Sequence, residues 1–458
     1  MPQTRRRAAA YAVCAAAFLS TAPAALPATP VLNASEGHIN FYKHTGPADD
    51  SYTSSPTSST IQFMNGHFVR LMTYSGYWDT KLSWYPNAWA YLDSYAIYTS
   101  NTQLVQQHPD WILKDANGNK LYINYACSGG TCTQYAANLA NPSGFRAWWI
   151  GQAQADFALN PSYKGLFIDD VNLDLSRISD GYGNVVTPID PTTGQPMTNS
   201  AWRGYFADFM AQVRAALPSA ELVHNSLWFL DWTDANIQRE IQASDWIELE
   251  RGVNDGGLTG GTGTYSLSRF LSFVDNVHSN GKGVVFDGET PASDSDTARE
   301  YSAAAWLLVS TGKDLVGDQS QTPTYWWTGF QTDLGKAQGA RYSWQNLLRR
   351  DFAGGIALVN PPGAGSVTVT LPGLYTRVTG AAVKSVTLGA TQGAILTMVR
   401  CDVNRDGVID NNDVQAAINQ AIGEAACGIG DINQDGQCSA TDVQRVINAS
   451  AGGACVTQ

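Results

Sequence analysis

Cationic side chains are in short supply. Lys and Arg number 28 against 40 Asp and Glu, a net charge of −12 over 458 residues. Nucleic acid and anionic membrane both call for basic patches, so neither is an expected partner. Histidine is scarcer still, with six, at 38, 44, 67, 108, 224 and 278. None falls in an H-x-H or H-E-x-x-H pattern, so a barrel metallohydrolase or a zinc peptidase lacks ligands. There is no G-x-S-x-G for a serine-esterase elbow and no G-x-x-x-x-G-K-[ST] for a nucleotide phosphate. Beyond the N-terminus no run is apolar enough to span a bilayer.

What the chain does have is carboxylates and aromatic rings. Aromatic residues make up 11%, with 14 Trp. Exposed aromatic faces suit sugar rings, although a given Trp is more often core. The length allows one large domain or two to three ordinary ones. At the N-terminus, Arg5-Arg6-Arg7 precede an apolar segment at 8–19, and small residues follow near Ala22 and Ala28. That pattern reads as an export signal over 1–28, too short for a membrane span, and predicts a secreted or cell-surface protein. Cys14 lies inside it. The other six cysteines are an even number, which in an exported chain favours disulfides. Cys127 and Cys132 flank a flexible Ser-Gly-Gly-Thr turn and form the leading pair. Cys401, Cys427, Cys438 and Cys455 allow three pairings, Cys401–Cys427 with Cys438–Cys455 being one. Zinc is disfavoured there by irregular spacing and the lack of nearby histidine.

One stretch carries most of the functional weight, Gly165-Leu166-Phe167-Ile168-Asp169-Asp170-Val171-Asn172. An apolar run between helical patterns reads as a parallel strand covered on both faces. A strand that ends in acid delivers a carboxylate to the C-terminal mouth of a barrel. Side chains alternate, so Asp169 shares a face with Phe167 and Asp170 with Ile168. Further strands are expected at 38–43, 68–74, 95–98, 221–228, 245–251, 283–289 and 314–317, with helices at 142–159, 201–217, 267–280 and 297–310. This alternation favours a (β/α)8 TIM barrel over 38–350. From about 351 to 400, short β runs broken by Gly and Pro predict a small, sandwich-like antiparallel domain. The long loop at 175–200 is expected over the mouth.

With the other plans excluded, the strand ends offer carboxylates: Asp169 and Asp170, Glu248 and Glu250, Asp287 and Glu289. Glycosidic cleavage needs two carboxyl groups of different protonation, one a nucleophile or base and one an acid. Asp169 is the first candidate nucleophile and Asp170 its neighbour. Glu250, nearest the end of strand six, is the acid candidate, with Glu248 open and Glu289 in reserve. Tyr74, Trp78, Asp79, Asn225, Trp228, Trp232 and Arg251 are candidates to bind sugar hydroxyls or rings; His224 is equally suited to the core.

The tail repeats itself at a spacing of 29 residues. Asp402, Asn404, Asp406, the Val408 carbonyl, Asp410 and Asp413 form one oxygen set, and Asp431, Asn433, Asp435, the Gln437 carbonyl, Ser439 and Asp442 the other. Ligands at loop positions 1, 3, 5, 7, 9 and 12, with Gly at 6, make a calcium loop, so two Ca²⁺ are expected and no catalytic cofactor. This duplicated loop–helix unit resembles a dockerin domain over 401–458. The resemblance implies an all-α calcium-binding module and a cohesin as partner. The partner-reading positions, Asn411-Asn412 and Ala440-Thr441, depart from the Ser/Thr pairs common in that family.

The barrel also resembles the hypothetical glycosyl hydrolases with (β/α)8 folds. The residues that carry it are His108-Pro109-Asp110-Trp111, Asp115-Ala116-Asn117-Gly118, the 165–170 strand, and Glu250-Arg251-Gly252-Val253-Asn254-Asp255. The Gly-to-Asp strand is similar to the strand-four motif of many glycosidases, which implies that Asp169 is the nucleophile. The expectation is a secreted glycoside hydrolase acting on a polysaccharide and tethered by a dockerin. The alternative is a non-catalytic carbohydrate-binding barrel carried by the same tether.

Overall fold

The structure, a computed structural model, describes residues 30–45, 55–74, 84–140, 144–159, 163–288, 295–318 and 324–457. The export signal read at 1–28 lies outside the described residues.

Eight parallel strands close into a barrel: β1 (Phe41–His44), β2 (Arg70–Tyr74), β3 (Ala88–Asp93), β4 (Tyr163–Val171), β5 (Glu221–Ser226), β6 (Trp246–Leu249), β7 (Gly283–Gly288) and β8 (Leu315–Asp318). They are arranged in chain order, and β8 returns to pair with β1. Helices α1 (Ser58–His67), α2 (Phe145–Leu159), α3 (Asn199–Ala216), α4 (Ala235–Ala243), α5 (Leu267–Ser279) and α6 (Asp296–Leu307) occur in the crossovers. Five of the six start where chemistry permits. Thr57, Thr198, Asp234, Ser266 and Ser295 turn a side-chain oxygen onto an otherwise unpaired N–H of the first turn.

The period-two alternation divides the apolar residues into two layers. Tyr42, Met72, Trp89, Phe167, Val223, Trp246, Val285 and Leu315 fill the barrel interior. Leu71, Ala90, Leu166, Ile168, Leu222, Ile247, Val284 and Val316 pack outward in the larger core with the helices. Phe167 inside and Ile168 outside fix which way the acids beyond them start out.

The third strand is not where the sequence placed it. Ala96–Tyr98 pairs antiparallel with Gln134–Ala136, in a four-stranded sheet that also contains Tyr122–Ile123 and Ile178–Ser179. The barrel instead takes Ala88–Asp93. Its outward residues Ala88 and Ala90 are weak strand formers but small enough for close packing, whereas the Tyr-Ala-Ile-Tyr run has the stronger β composition. Long-range pairing overrode local propensity.

The C-terminal strands are β9 (Tyr342–Trp344), β10 (Leu347–Phe352), β11 (Gly355–Asn360), β12 (Val367–Arg377), β13 (Ala382–Leu388) and β14 (Gln392–Met398). They form one antiparallel sheet in the order β9-β10-β11-β14-β12-β13, not two facing sheets. They also begin before the boundary read at 351. The β9–β10 turn uses Gln345 and Asn346, both left-handed at φ 49° and 68°, the geometry of a type I′ hairpin without its usual glycine. Helix α6 packs against this sheet. A Cβ on Gly393 would stand 2.8 Å from the Ala304 Cβ, and Glu300 accepts hydrogen bonds from the Ile395 N–H and the Arg377 guanidinium.

In the tail, α7 (Asn411–Ala421) and α8 (Ala440–Ser450) each begin with a capping box, Asp410 with Asp413 and Ser439 with Asp442. The disulfides are Cys127–Cys132, Cys401–Cys455 and Cys427–Cys438. The tail pairing therefore differs from the one named from the sequence. Side-chain approach across the folded repeat sets it, and chain order does not encode that approach.

Candidate active site

Strands β3 to β6 bring four polar side chains to one sector of the barrel rim. Asp93 lies beside Asp169 in the β3–β4 register, and Asn225 lies beside Glu248 in the β5–β6 register. The β4–β5 register breaks between Ile168 and Val171, so one more residue sits on β4 than on β5. Such a bulge re-aims side chains. The extra backbone is taken up at Asp170, whose φ of 55° is left-handed.

Asp169 is held from three sides. Its Oδ1 accepts from the Asn225 amide at 2.8 Å and from the Asp170 backbone N–H at 2.8 Å, and its Oδ2 from the Tyr91 hydroxyl. A carboxylate that accepts on both oxygens is fixed in position with lone pairs available. The same Asn225 amide lies 3.5 Å from Glu250 Oε2. One nitrogen thus touches both carboxylates and holds one oxygen of each within reach of a single amide.

Glu250 stands just past the end of β6 with its side chain 47% exposed, and Arg251 Nε is 3.7 Å from its Oε1. Arg251 is itself left-handed, with φ 65°. Glu248 is on the same strand face but buried, at 1%. Asp170 turns to a different environment. Its carboxyl accepts from the Asn172 amide, which also reaches the Tyr95 hydroxyl at 3.2 Å. Burial first, then the charges of Asp169 and Asp93, push the Asp170 carboxyl up to about 7.

Three contributors were not singled out from the sequence. Tyr91 joins Asp169 to Asp93, with its hydroxyl 2.8 Å from Asp93 Oδ1. The hydroxyl of Tyr98 bonds Asp93 Oδ2, and the Tyr98 residue is 47% exposed. Burial, followed by the Asp169 charge, pushes Asp93 up to about 6. Misplacing the third strand hid this set; the signal was the Trp-Ala-Tyr-Leu-Asp alternation of 89–93. On the same barrel, His44 Nδ1 lies 2.7 Å from Asp287 Oδ2.

Other sequence candidates fall elsewhere. Trp228 is 7% exposed and packs edge-on against Phe229, Tyr265 and Phe270, so its ring is core and not a sugar platform. The Trp232 face is covered by the Arg269 guanidinium at 4.3 Å. His224 is fully buried, with Nδ1 2.7 Å from Glu240 Oε1 on α4. The Tyr74 backbone closes β2, opposite Tyr91. Trp78, Asp79 and Glu289 lie outside the described residues.

The tail loops take one backbone form. Residues 405 and 407 of the first loop, and 434 and 436 of the second, are left-handed. Asp402 accepts from the Gly407 N–H and Asp431 from the Gly436 N–H, while Asp413 and Asp442 accept from backbone on the opposite side of their loops. Among the described residues no three His, Cys, Asp or Glu side chains gather as a metal cluster. The loops rest instead on amide, hydroxyl and carbonyl oxygens mixed with carboxylates, a hard-oxygen set that suits calcium.

No curated protein matches the chain. Among solved structures it is similar to the glycoside hydrolase domain of PelA from Pseudomonas aeruginosa, at 14% identity and TM-score 0.37 over 64% of this chain and 97% of that one. An α-amylase from Lactobacillus plantarum matches at 11% identity and TM-score 0.41 over 78% and 98% of the two chains. A dextranase from Flavobacterium johnsoniae matches at 9% identity and TM-score 0.42 over 81% and 52%. Residues 400–449 match the dockerin type I domain, and residues 75–356 match hypothetical glycosyl hydrolase family 15. That second match spans β3 to β8 and the rim residues described above, and the chain belongs to hypothetical glycosyl hydrolase family 15.

Proposed function

We propose that this chain is a secreted glycoside hydrolase that cleaves O-glycosidic bonds of a polysaccharide by a two-carboxylate, retaining mechanism. The observation that carries the reading is the Asn225 amide, which touches both Asp169 and Glu250 on the barrel rim. In the first step the Asp169 carboxylate attacks the anomeric carbon while Glu250 protonates the departing glycosidic oxygen. In the second, Glu250 takes a proton from water, the water oxygen attacks the same carbon, and the Asp169 ester bond breaks. Separations of roughly 5–5.5 Å serve this route, since no water need fit between base and sugar. Tyr98, half-exposed beside Asp93, and Arg251 at the outer edge are placed to meet substrate.

The tail is read as a dockerin that holds two calcium ions, with Asp402, Asn404, Asp406, Asp410 and Asp413 and the Val408 carbonyl in the first loop. Asp431, Asn433, Asp435, Ser439 and Asp442 and the Gln437 carbonyl serve in the second. Bound calcium would neutralise the acids and fix the start of each helix. A cohesin module is the partner that such a unit would take.

The Arg251–Glu250 contact is what a non-catalytic, sugar-binding barrel would also show. A screen of polysaccharides and aryl glycosides with wild type, Asp169→Asn and Glu250→Gln separates the two. The catalytic reading expects turnover in wild type and a loss of at least ~10³-fold in Asp169→Asn, as for removal of a nucleophile. Glycan binding without turnover in all three chains would establish the binding barrel instead.

A further inference from the structure

Three contacts link four groups in a row: Tyr98 hydroxyl to Asp93 Oδ2, Asp93 Oδ1 to Tyr91 hydroxyl, and Tyr91 hydroxyl to Asp169 Oδ2. Each contact needs one proton between its oxygens. The two phenols supply two. Were both aspartates ionised, one contact would set lone pairs against lone pairs at hydrogen-bond distance, which burial makes costly. The row therefore contains one carboxyl proton.

Its place follows from the donors already present. Asp169 has two fixed N–H donors on Oδ1, from Asn225 and the Asp170 backbone, and both favour its charged form. Among the described residues the Asp93 carboxyl has no backbone or amide donor, only the two phenols. Asp93 is also the more secluded of the pair, at 9% exposure. We infer that Asp93 carries a carboxyl proton, donates it to Tyr91, and thereby commits the Tyr91 hydroxyl to Asp169.

The proton order is then Tyr98 O–H to Asp93 Oδ2, Asp93 O–H to Tyr91 Oη, and Tyr91 O–H to Asp169. Every oxygen in the row is satisfied and one negative charge remains, on Asp169. The charged and titratable groups around Asp93 agree with this. Asp169 faces it from β4, Asp93 in turn raises Asp170 at the same bulge, and Tyr91, Tyr95 and Tyr98 surround it from β3 and the segment beyond. Arg177, the cation among them, acts on Asp170 and Tyr95. Burial and the Asp169 charge raise Asp93 in the same direction as the proton count requires. Asp93 is thus a positioning residue. Its catalytic consequence rests on Asp169 as nucleophile, whereas the proton count does not.

The test is a carboxyl titration of the full chain labelled with ¹³C at aspartate carboxyls, followed by NMR in wild type, Asp93→Asn, Tyr91→Phe and Tyr98→Phe. A resonance that titrates well above the ordinary aspartate range, distinct from that of Asp170, should vanish in Asp93→Asn. The sign of its movement decides the proton order. Tyr91→Phe removes an acceptor of the neutral acid, so the midpoint should fall by about 0.5–1 pH unit, the worth of one hydrogen bond. Tyr98→Phe removes a donor to the acid and should raise it by a similar amount. A midpoint near that of an ordinary aspartate, about 3.9, or a rise in Tyr91→Phe, would overturn the inference. Should Asp93→Asn fail to fold, the opposed movements in the two Phe variants still assign the resonance. Loss of turnover plays no part in these readouts. Correct titrations in a chain that hydrolyses nothing would leave the proton in place and remove the nucleophile reading alone.

Discussion

At the scale of single residues, the two adjacent aspartates at the end of β4 have separate tasks because one backbone rotation separates them. Asp169 points to the rim and collects donors, while Asp170, at φ 55°, turns to Asn172 and is driven toward its neutral form. An acid whose folded value is raised binds a proton that the unfolded chain has already released. Stability from Asp170 is therefore complete below its ordinary value of 3.8 and is lost as pH rises toward about 7. Asp170→Asn removes that titration and keeps a side chain that tolerates the left-handed region. The variant should gain about 1–2 °C in melting temperature at pH 7, worth about 1 kcal/mol, and gain nothing near pH 4. Melting curves at the two pH values check it. An equal shift at both would show that charge is not the cause.

At the scale of elements, legibility tracked how locally each feature is specified. Strand β4 could be read because its alternation, its glycine and its acids all lie within nine residues. The duplicated loop–helix unit of the tail could be read because each copy lies in one short segment. Strand β3 could not, since its small outward alanines make sense only against neighbouring strands, and Asp93 was lost with it. Trp228 was misassigned because a ring next to a βα loop can face substrate or core, and only packing with Tyr265 and Phe270 decides. Gly165 shows the element-scale constraint in its sharpest form. A Cβ there would meet the Glu221 carbonyl oxygen of β5 at 1.8 Å. Glu221 in turn accepts from Arg70 and from the Trp89 indole at the opposite end of these strands from Asp169. Gly165→Ala must push β4 from β5 and so spoil the Asp169–Asn225 contact four residues on. A loss of about 1–3 kcal/mol, the usual range for overpacking, should come with reduced turnover. Gly151→Ala, on α2 with nothing within 4 Å, is the control and should be neutral or slightly stabilising. Equal melting temperatures for the two variants would refute the steric argument.

At the scale of the whole molecule, the tail is fastened to the body by more than a chain link. Asp402 Oδ2 accepts from the Leu374 N–H at 2.6 Å, and Arg405 donates to the Pro372 carbonyl while its guanidinium lies 4.7 Å from the Tyr375 ring centre. The first loop of the repeat is thus seated on β12, and the Asp402 carboxylate serves both loop and sheet. The tail has a core of only a few side chains, chiefly Val403, Ala417, Ile432 and Val446. A unit that small depends on staples and metal. The Cys401–Cys455 bond joins residues 54 apart and spans the whole repeat, while Cys427–Cys438 closes only 11. Chain-entropy arguments assign these about 4 and 3 kcal/mol. Calcium and the two tail disulfides should therefore be partly redundant, and the barrel nearly indifferent to both, since its own Cys127–Cys132 bond joins residues only 5 apart. Scanning calorimetry of the full chain checks this in calcium, in chelator, and in chelator with reductant. The tail transition should fall in chelator and disappear only when the bonds are also reduced, while the barrel transition stays in place. Calcium titration of the oxidised chain should give two binding events. A barrel transition that drops in chelator by as much as the tail would mean that the seat on β12 couples the two units, and that calcium in the tail steadies the body as well.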